Sequence, residues 1–466
     1  MMIAVVGSGG KTTLIKKLAA RYCSEGKNVL VTTTTHMLIE EDTLLTDDAD
    51  TIIGVLRETG YAMAGIPDGP KIRALSKETL DNLCAFADVV LVEADGSKCL
   101  PLKYPNATEP VIPEHADEII VVCGLNAIGQ KAKDVCHRLE LVKDCLGIGD
   151  DTVITPAHIQ KLVTDGYCSP LRKAYPNVKI SVHPCHDGSL YQRAIASLLQ
   201  NEQDVSLIRK EWFSPQPTLF LCGGGHVAKE VAALAAHLDF AVTVLDDRED
   251  LVNRERFPTA ERVICDSYDN LKNYLEADAC YVVVTPDHKA DLQCVSTILP
   301  TQYRYLGMIG SKGKVAATFE NLRKAGFSED QIRRIFAPIG LPIGAVTPAE
   351  IAFSILGQII QEKNKHHTAS ADQALLAVTE SGMLCVITEK RGSAPRGAGS
   401  MMFIGKERIL GTIGGGEPEY RAIGHARENS GFSIQEYALD RVAANGLDMI
   451  CGGSIKVAFI PISQCS

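Results

Sequence analysis

Three glycine-rich segments limit what this chain can fold into, because each follows a short apolar run that is typical of a β-strand. Glycine takes up positive φ and leaves no Cβ between the backbone amides and an anion. Each segment is therefore predicted to bring backbone close to a phosphate-sized ligand. The segments are Gly7-Ser8-Gly9-Gly10-Lys11-Thr12-Thr13, Gly223-Gly224-Gly225-His226-Val227-Ala228 and Gly411-Thr412-Ile413-Gly414-Gly415-Gly416.

Length and charge narrow the class of protein further. The 466 residues predict three domains at roughly 150 residues each. A net charge of -10 argues against nucleic acid as the main partner, since backbone binding needs clustered Lys and Arg. No apolar run is long enough to span a bilayer, and the first six residues leave no room for a signal peptide. We therefore expect a cytoplasmic protein with no membrane partner.

The first domain, predicted over residues 1–200, has the strand, loop and helix order of a P-loop NTPase-like α/β fold. An apolar run at residues 3–6 precedes the first glycine segment, and a second run at residues 89–92 ends at Glu93-Ala94-Asp95. A P-loop protein places a magnesium carboxylate just past such a strand, because the carboxyl ends of parallel strands converge on the nucleotide. Asp95 is the predicted Mg²⁺ ligand and Glu93 is the alternative.

The first glycine segment predicts a site for ATP or GTP with Mg²⁺. Lys11 is placed to neutralise phosphate charge, and the hydroxyl of Thr12 or Thr13 is placed to ligate the metal. The predicted cradle consists of Gly7 and Gly10. The common motif G-x-x-x-x-G-K-[ST] would require glycine at Val5, so the match is to the shorter G-x-x-G-K-T-T, and a structural turn is the alternative. Candidate catalytic residues are Lys11, Asp95 and Glu93.

The second domain, predicted over residues 216–363, reads as a Rossmann doubly wound parallel sheet. Apolar runs at residues 219–222, 242–245, 263–264, 282–284 and 306–309 alternate with helical patterns. Gly223, Gly225 and His226 open a helix, and Asp246 closes the next strand as a candidate ribose-binding acid. A bound NAD(P) would make this domain part of an oxidoreductase, with His226 or His288 as the proton-transfer group. The last helix is predicted to run from a cap at Thr347 to about Gln361, with residues 201–217 and 362–370 as linkers.

The third domain, predicted over residues 372–466, is a small α+β domain with apolar strands at residues 384–387, 401–404 and 457–460. Arg396 is a candidate phosphate clamp, and Cys451 is a candidate soft ligand for a metal such as molybdenum. The alternative for Cys451 is a small buried residue. The amides that could hold an anion belong to Gly414, Gly415 and Gly416.

These motifs resemble two known families. The middle domain resembles the Rossmann domain of XdhC/CoxI proteins, and the third resembles their other domain. The first domain is similar to YqeC, an accessory protein of selenium-dependent molybdenum hydroxylases. The motifs are F-L-C-G-G-G-H-V-A from Phe220, L-D-D-R from Leu245, A-P-I-G-L-P-I-G from Ala337, T-P-A-E-I from Thr347, G-S-A-P-R from Gly392, the segments at 411–416 and 451–453, and, for YqeC, G-S-G-G-K-T-T, T-T-T-T-H from Thr32, V-E-A-D-G-S from Val92 and E-P-V-I-P from Glu109.

The resemblance implies a role in maturing xanthine-dehydrogenase-type molybdenum hydroxylases. Such a protein binds the molybdenum cofactor (molybdopterin), supports its sulfuration or selenation, and passes it to the apo-enzyme. The implied partners are the apo molybdenum hydroxylase and a cysteine desulfurase or selenium donor, and a homo-oligomer remains open. The order of the two XdhC domains is reversed here, and the first domain lacks an N-K-x-D segment that would read guanine. An NAD(P)-dependent oxidoreductase, or a small-molecule kinase with a regulatory Rossmann module, are the alternatives.

Overall fold

The computed structural model describes residues 1–214, 218–238, 240–365, 371–438 and 453–464. The chain forms two compact units. One contains Met1–Arg209 together with Ala377–Ser466, and the other is Lys210–Leu376. The first and last parts of the sequence therefore belong to the same unit.

Residues 1–209 form an α/β domain. Its strands are β1 (Met2–Gly7), β2 (Val29–Thr33), β3 (His36–Leu38), β4 (Thr43–Leu45), β5 (Tyr61–Asp68), β6 (Lys71–Arg73), β7 (Val89–Glu93), β8 (Leu102–Lys103), β9 (Glu118–Gly124), β10 (Cys136–His137) and β11 (Lys179–Cys185). Its helices are α1 (Lys11–Ser24), α2 (Ala49–Thr59), α3 (Lys77–Phe86), α4 (Ala132–Val135), α5 (Leu139–Leu146), α6 (Pro156–Val163), α7 (Ser169–Ala174) and α8 (Leu190–Gln200).

The main sheet of this domain has the strand order β11-β9-β1-β7-β2-β5-β6-β3, and β4 also pairs with β5. The strands from β11 to β5 run parallel, whereas β6 is antiparallel to both of its neighbours. Strands β1, β2 and β7 are buried along their whole length because helices cover both faces, which explains the apolar runs at residues 2–6, 29–31 and 89–92. Their carboxyl ends meet at one edge, where the first glycine loop (residues 7–13) follows β1.

The second unit contains a five-stranded parallel sheet in the order β14-β13-β12-β15-β16. This order, with helices on both faces, confirms the Rossmann-like prediction. The elements are β12 (Leu219–Cys222), α9 (His226–His237), β13 (Val242–Asp246), β14 (Arg262–Cys265), β15 (Cys280–Val283), α10 (His288–Ile298), β16 (Tyr305–Met308), α11 (Lys312–Lys324), α12 (Glu329–Ile332), α13 (Pro348–Lys365) and α14 (Gln373–Leu376).

Helix α13 starts where the sequence predicts but ends later. The amide of Glu350 donates to Thr347 Oγ1 at 3.3 Å, and the Glu350 carboxylate accepts from the amide of Thr347 at 3.0 Å, which is a reciprocal capping box. The predicted end near Gln361 is wrong, because the helix continues to Lys365, whose ammonium lies 2.5 Å from Glu362 one turn earlier. The paired histidines at positions 366 and 367 lie outside the described residues.

The predicted linker at residues 201–217 is partly structured where it is described. Val205–Leu207 and Lys210–Phe213 form 3-10 turns. Trp212 is buried, so an apolar side chain anchors this segment. Across the described residues, no helix combines the length and the apolar content needed to cross a bilayer.

The last part of the chain forms an antiparallel sheet in the order β19-β18-β17-β21-β20. The three apolar runs predicted as strands lie in β17, β18 and β21. One face of the sheet packs on the helix α15. The elements are β17 (Gly382–Arg391), β18 (Met401–Ile404), β19 (Ile409–Gly411), α15 (Gly416–Glu428), β20 (Ser433–Ala438) and β21 (Ser454–Ile462).

Helix α8 joins this last segment to the first domain. It packs against β11 and also against β21, and its side chains are buried almost all round the helix. The buried guanidinium of Arg193 on α8 donates to the carbonyl oxygens of Ser463 at 3.0 Å and Glu380 at 3.3 Å, and also to that of Val378. One buried arginine thus binds three backbone carbonyls of the last segment.

Candidate functional site

The first glycine loop makes a tight turn between β1 and α1. Gly7, Gly9 and Gly10 all have positive φ, at +89°, +82° and +140°. A Cβ on Gly7 would stand 2.1 Å from the carbonyl oxygen of Val122, so no larger residue fits there without moving β9. Because Gly10 precedes the first turn of α1, the loop presents unpaired helix N-terminal amides, which is the geometry that binds anions.

Lys11 is buried beneath this loop. Its Nζ donates to the carbonyl oxygen of Gly7 at 2.8 Å and to Ser97 Oγ at 3.2 Å, and lies 3.8 Å from a Glu93 carboxylate oxygen. Burial lowers the pKa of Lys11, although Glu93 and Asp95 oppose that shift. The Lys11 Nζ is therefore buried with two neutral oxygens as close partners and one carboxylate at longer range.

Thr12 and Glu93 are brought together by the parallel pairing of β1, β7 and β2. Thr12 Oγ1 donates to Glu93 Oε2 at 3.3 Å. Glu93 ends β7 opposite Val5 on one side and Thr33 on the other. Burial raises the pKa of Glu93, and the Lys11 ammonium and the Thr12 hydroxyl partly offset this. A hydroxyl and a carboxylate beside the first helix turn form an oxygen pair suited to Mg²⁺.

Asp95 is fully buried and its carboxylate is already satisfied by the protein. It accepts hydrogen bonds from the amide of Gly7 at 3.1 Å and from the Tyr167 hydroxyl at 2.8 Å, and it pairs with the Lys103 ammonium. Burial raises the pKa of Asp95, and the pairing with Lys103 opposes this rise. In this arrangement Asp95 positions the start of the glycine loop, whereas Glu93 faces Thr12.

Sequence reasoning did not find the partners of Asp95. Lys103 also lies 2.7 Å from Glu109, and Glu109 lies 2.8 Å from Arg138. Burial alone would raise the pKa of Glu109, but hydrogen bonds from Arg138 and Lys103 hold it at about 2. These charges come from separate segments, so no local motif marks them. The motif E-P-V-I-P was the one signal that pointed to Glu109.

The second glycine loop (residues 223–228) precedes α9. Gly225 caps the helix and His226 is its exposed first residue. Asp246, at the end of β13, is fully buried and accepts from the amide of Gly224 at 2.7 Å and from Arg248 Nε and Nη2 at 2.8 Å each. Burial alone would raise the pKa of Asp246, but the Arg248 and Gly224 hydrogen bonds bring it to about 2.

Asp246 therefore stabilises the second loop from within the protein. Both of its carboxylate oxygens already accept hydrogen bonds, so it is not an open acceptor for ribose hydroxyls. The neighbouring carboxylate, Asp247, is half exposed. His288 is the exposed first residue of α10, after an N-cap by Asp287.

The third glycine loop (residues 411–416) lies against the segment at residues 392–396, and Gly453 lies against that same segment. A Cβ on Gly414 would stand 3.3 Å from Pro395 Cβ and 3.4 Å from Arg396 Cγ, and one on Gly453 would stand 2.2 Å from the carbonyl oxygen of Ser393. Arg396 is exposed beside the loop. The structure thus brings three separate segments together. Cys451 lies outside the described residues.

A carboxylate of the protein itself accepts hydrogen bonds from the amides of the third loop. Glu419 Oε2 accepts from the amides of Ile413 and Gly415 at 3.0 Å each and from the Thr412 hydroxyl at 2.5 Å. Burial alone would raise the pKa of Glu419, but these hydrogen bonds lower it overall. Gly416 begins α15. The loop therefore has an anion-binding geometry, and Glu419 fills it.

Within the described ranges, no group of three or more His, Cys, Asp or Glu side chains could by itself hold a metal ion. A metal at Thr12 and Glu93 would therefore need further oxygen ligands, such as those of a bound phosphate.

The fold and these loops define a protein that joins a glycine-loop α/β domain, a Rossmann-like domain and a small antiparallel domain. Three family models match it in that order. The YqeC protein family matches residues 3–140, the XdhC Rossmann domain matches residues 219–359, and the XdhC and CoxI family matches residues 375–437.

Curated relatives agree with these matches. Protein YqeC of Escherichia coli is 32% identical over 176 residues, covering 35% of this chain and 67% of YqeC. Protein YqeB of the same organism is 33% identical over 32% of this chain but only 28% of YqeB. A Bacillus subtilis protein described as a probable xanthine dehydrogenase component is 26% identical over 49% of this chain and 66% of that protein. The chain thus spans less than a third of YqeB.

The chain belongs to the YqeC family through its first domain, and its second and third domains match the models of the XdhC Rossmann domain and of the XdhC and CoxI family. Both resemblances drawn from the motifs are confirmed.

Proposed function

We propose that this chain is an accessory protein that helps to mature molybdenum hydroxylases of the xanthine-dehydrogenase type, and that its first domain binds a nucleoside triphosphate. The domain combination supports the maturation role, since the XdhC and YqeC modules occur together in one chain. The observation that carries the nucleotide site is the meeting of Lys11, Thr12 and Glu93 at the N-terminus of α1.

The first loop fits a polyphosphate with Mg²⁺. The positive-φ glycines expose amides, and the buried Lys11 ammonium gains a stronger partner when an anionic phosphate replaces the Gly7 carbonyl oxygen. Thr12 and Glu93 would hold Mg²⁺ directly or through water, and the metal would neutralise charge on the phosphates. We assign the acidic role to Glu93 rather than Asp95, because Asp95 already has Gly7, Tyr167 and Lys103 as partners.

The third loop is proposed to hold the phosphate of molybdopterin, with Arg396 as a second contact. The loop amides fit an anion, because the Glu419 carboxylate already lies on them. Binding therefore requires Glu419 to leave, so the site would exchange one anion for another. Cys451 is proposed as a soft ligand to molybdenum or as a sulfur relay, with a cysteine desulfurase or selenium donor as the source.

The oxidoreductase alternative is less well supported by the second loop. A dinucleotide-binding Rossmann domain offers an acidic side chain to the ribose hydroxyls. Here Asp246 is buried and bonded to Gly224 and Arg248, so binding NAD(P) through it would break those bonds.

Activation of an apo molybdenum hydroxylase tests the maturation role. The full chain, purified anaerobically from cells that make the cofactor, should raise the activity of the apo-enzyme, and ATP or GTP should increase that effect. Lys11→Ala should remove the nucleotide-dependent part. Lys16→Ala should not, because Lys16 is exposed and pairs with Glu40 at 2.8 Å. Activation that is the same with and without this chain would contradict the maturation role.

A further inference from the structure

A cavity of about 560 Å³ lies beside the first glycine loop, between α1 and α8. The carboxyl end of β11 and the segment after it form its third wall, and Ser463 contributes from the far end of the sequence. This volume is in the range of pockets that enclose small molecules.

The position of the cavity relates it to the phosphate site. Gly10 and Thr13 line it, and they directly flank Lys11 and Thr12. From Thr13 the wall continues along one face of α1 to Lys17 and Arg21. A triphosphate held at the N-terminus of α1 would therefore have the cavity at the Thr13 end, away from Glu93. The remainder of the nucleotide has space in that direction.

The lining has both the apolar surface and the polar groups that a nucleoside requires. Leu14 and Leu18 supply apolar surface from α1, and His183 supplies a ring from β11. Ser197 on α8 also lines the cavity, and its Oγ is buried without a hydrogen-bond partner among the described residues. A buried hydroxyl without a partner costs free energy unless a ligand or water satisfies it.

We propose that this cavity holds the nucleoside of the triphosphate bound at the first glycine loop. The inference rests on the proposed nucleotide site and adds where the base and sugar lie. It also makes the last segment of the chain part of the nucleotide site, since Arg193 and Ser463 line the same cavity. Arg193 therefore both lines the cavity and donates hydrogen bonds to the carbonyl oxygens of Val378 and Glu380.

Comparison of a nucleotide with its phosphate chain alone tests the proposal. The full chain would be titrated calorimetrically with Mg-ATP, Mg-GTP and Mg-tripolyphosphate. The parent should bind one nucleotide at least about tenfold more tightly than tripolyphosphate. Ser197→Leu, which places a larger apolar group in the cavity, should weaken that nucleotide at least about tenfold and leave tripolyphosphate within about twofold.

A second pair of variants is included because a larger side chain at the buried Ser197 can disturb folding. Lys17→Trp changes an exposed residue of α1 that lines the cavity, and Lys16→Trp makes the same change at its exposed neighbour outside the lining. Only Lys17→Trp should weaken the nucleotide relative to tripolyphosphate.

Each other outcome overturns a defined part of the account. Equal affinity of the parent for nucleotide and tripolyphosphate, or unchanged nucleotide binding in the folded cavity variants, would refute the nucleoside site and leave the phosphate site standing. A parent that binds neither ligand would refute the proposed nucleotide function and, with it, the nucleoside site.

Discussion

Replacing Arg193 tests whether one buried side chain holds the last segment of the chain to the first domain. Arg193→Met keeps an apolar stem but removes the donors to the carbonyl oxygens of Val378, Glu380 and Ser463. Losing a hydrogen bond to a charged group lowers the free energy of unfolding by about 1.5–3 kcal/mol. Removing the charge offsets part of this loss, because folding no longer has to take the charge out of water. We expect the free energy of unfolding of this unit to fall by about 2–4 kcal/mol.

Urea unfolding followed by two signals provides the assay and an internal control. Trp212, the only tryptophan, belongs to the other unit, so its fluorescence should keep the parental midpoint while the circular dichroism gains an earlier transition. Arg172→Met is the matched variant, because Arg172 is exposed and pairs with Glu202 on the surface, where such pairs contribute about 0–1 kcal/mol. Coincident transitions for Arg193→Met, Arg172→Met and the parent would refute the reasoning.

Three further predictions follow from the loops. Glu93→Gln should weaken nucleotide binding more in the presence of Mg²⁺ than in its absence. Asp95→Asn should instead lower the melting temperature and change the Mg²⁺ dependence less. An equal change of the Mg²⁺ dependence in both variants would contradict the assignment of Glu93 as the Mg²⁺ ligand. Asp246 has a pKa of about 2 in the folded protein and about 3.9 in the unfolded chain. It therefore contributes about 2–3 kcal/mol to the free energy of unfolding above about pH 5, and this contribution is lost as the pH falls towards 2. Asp246→Asn should therefore flatten the fall of unfolding free energy over that range, and a fall as steep as the parent's would count against the Arg248 pairing. Glu419→Ala should free the third-loop amides and increase phosphate binding measured by NMR. Phosphate binding no stronger than that of the parent would argue against an anion site there.

Local sequence patterns were enough to predict the glycine loops and the strands that precede the first two of them, but not β5, β9 or β11 of the first domain. The apolar runs within β1, β7 and β12 reflect a parallel sheet that is covered on both faces, and that pattern is visible without a structure. The capping box at Thr347 is likewise a local feature. The same is true of Lys11 and Thr12, whose places follow from the loop that precedes them.

Several partners of the candidate site residues could not be predicted, because they come from distant segments. Asp95 looked like a metal ligand from its place after a strand, yet Tyr167 and Lys103 reach its carboxylate through the packing of other elements. The filling of the third loop by Glu419 is a local contact that the sequence analysis missed, because Glu419 lies in the first turn of α15, only four to seven residues after its partners. The packing of α8 against β21 joins residues that are far apart in the sequence, and no periodicity encodes it.

Calorimetry of nucleotide binding tests the central claim most directly. The full chain should be used, because the first and last segments form one unit. We predict that the parent binds Mg-ATP or Mg-GTP and that Lys11→Ala weakens this binding at least about tenfold, since a charge-assisted contact contributes about 1.5–3 kcal/mol. Lys16→Ala should bind as the parent does. Unchanged affinity in Lys11→Ala, or no binding by the parent, would contradict the claim that the first glycine loop is a nucleotide site.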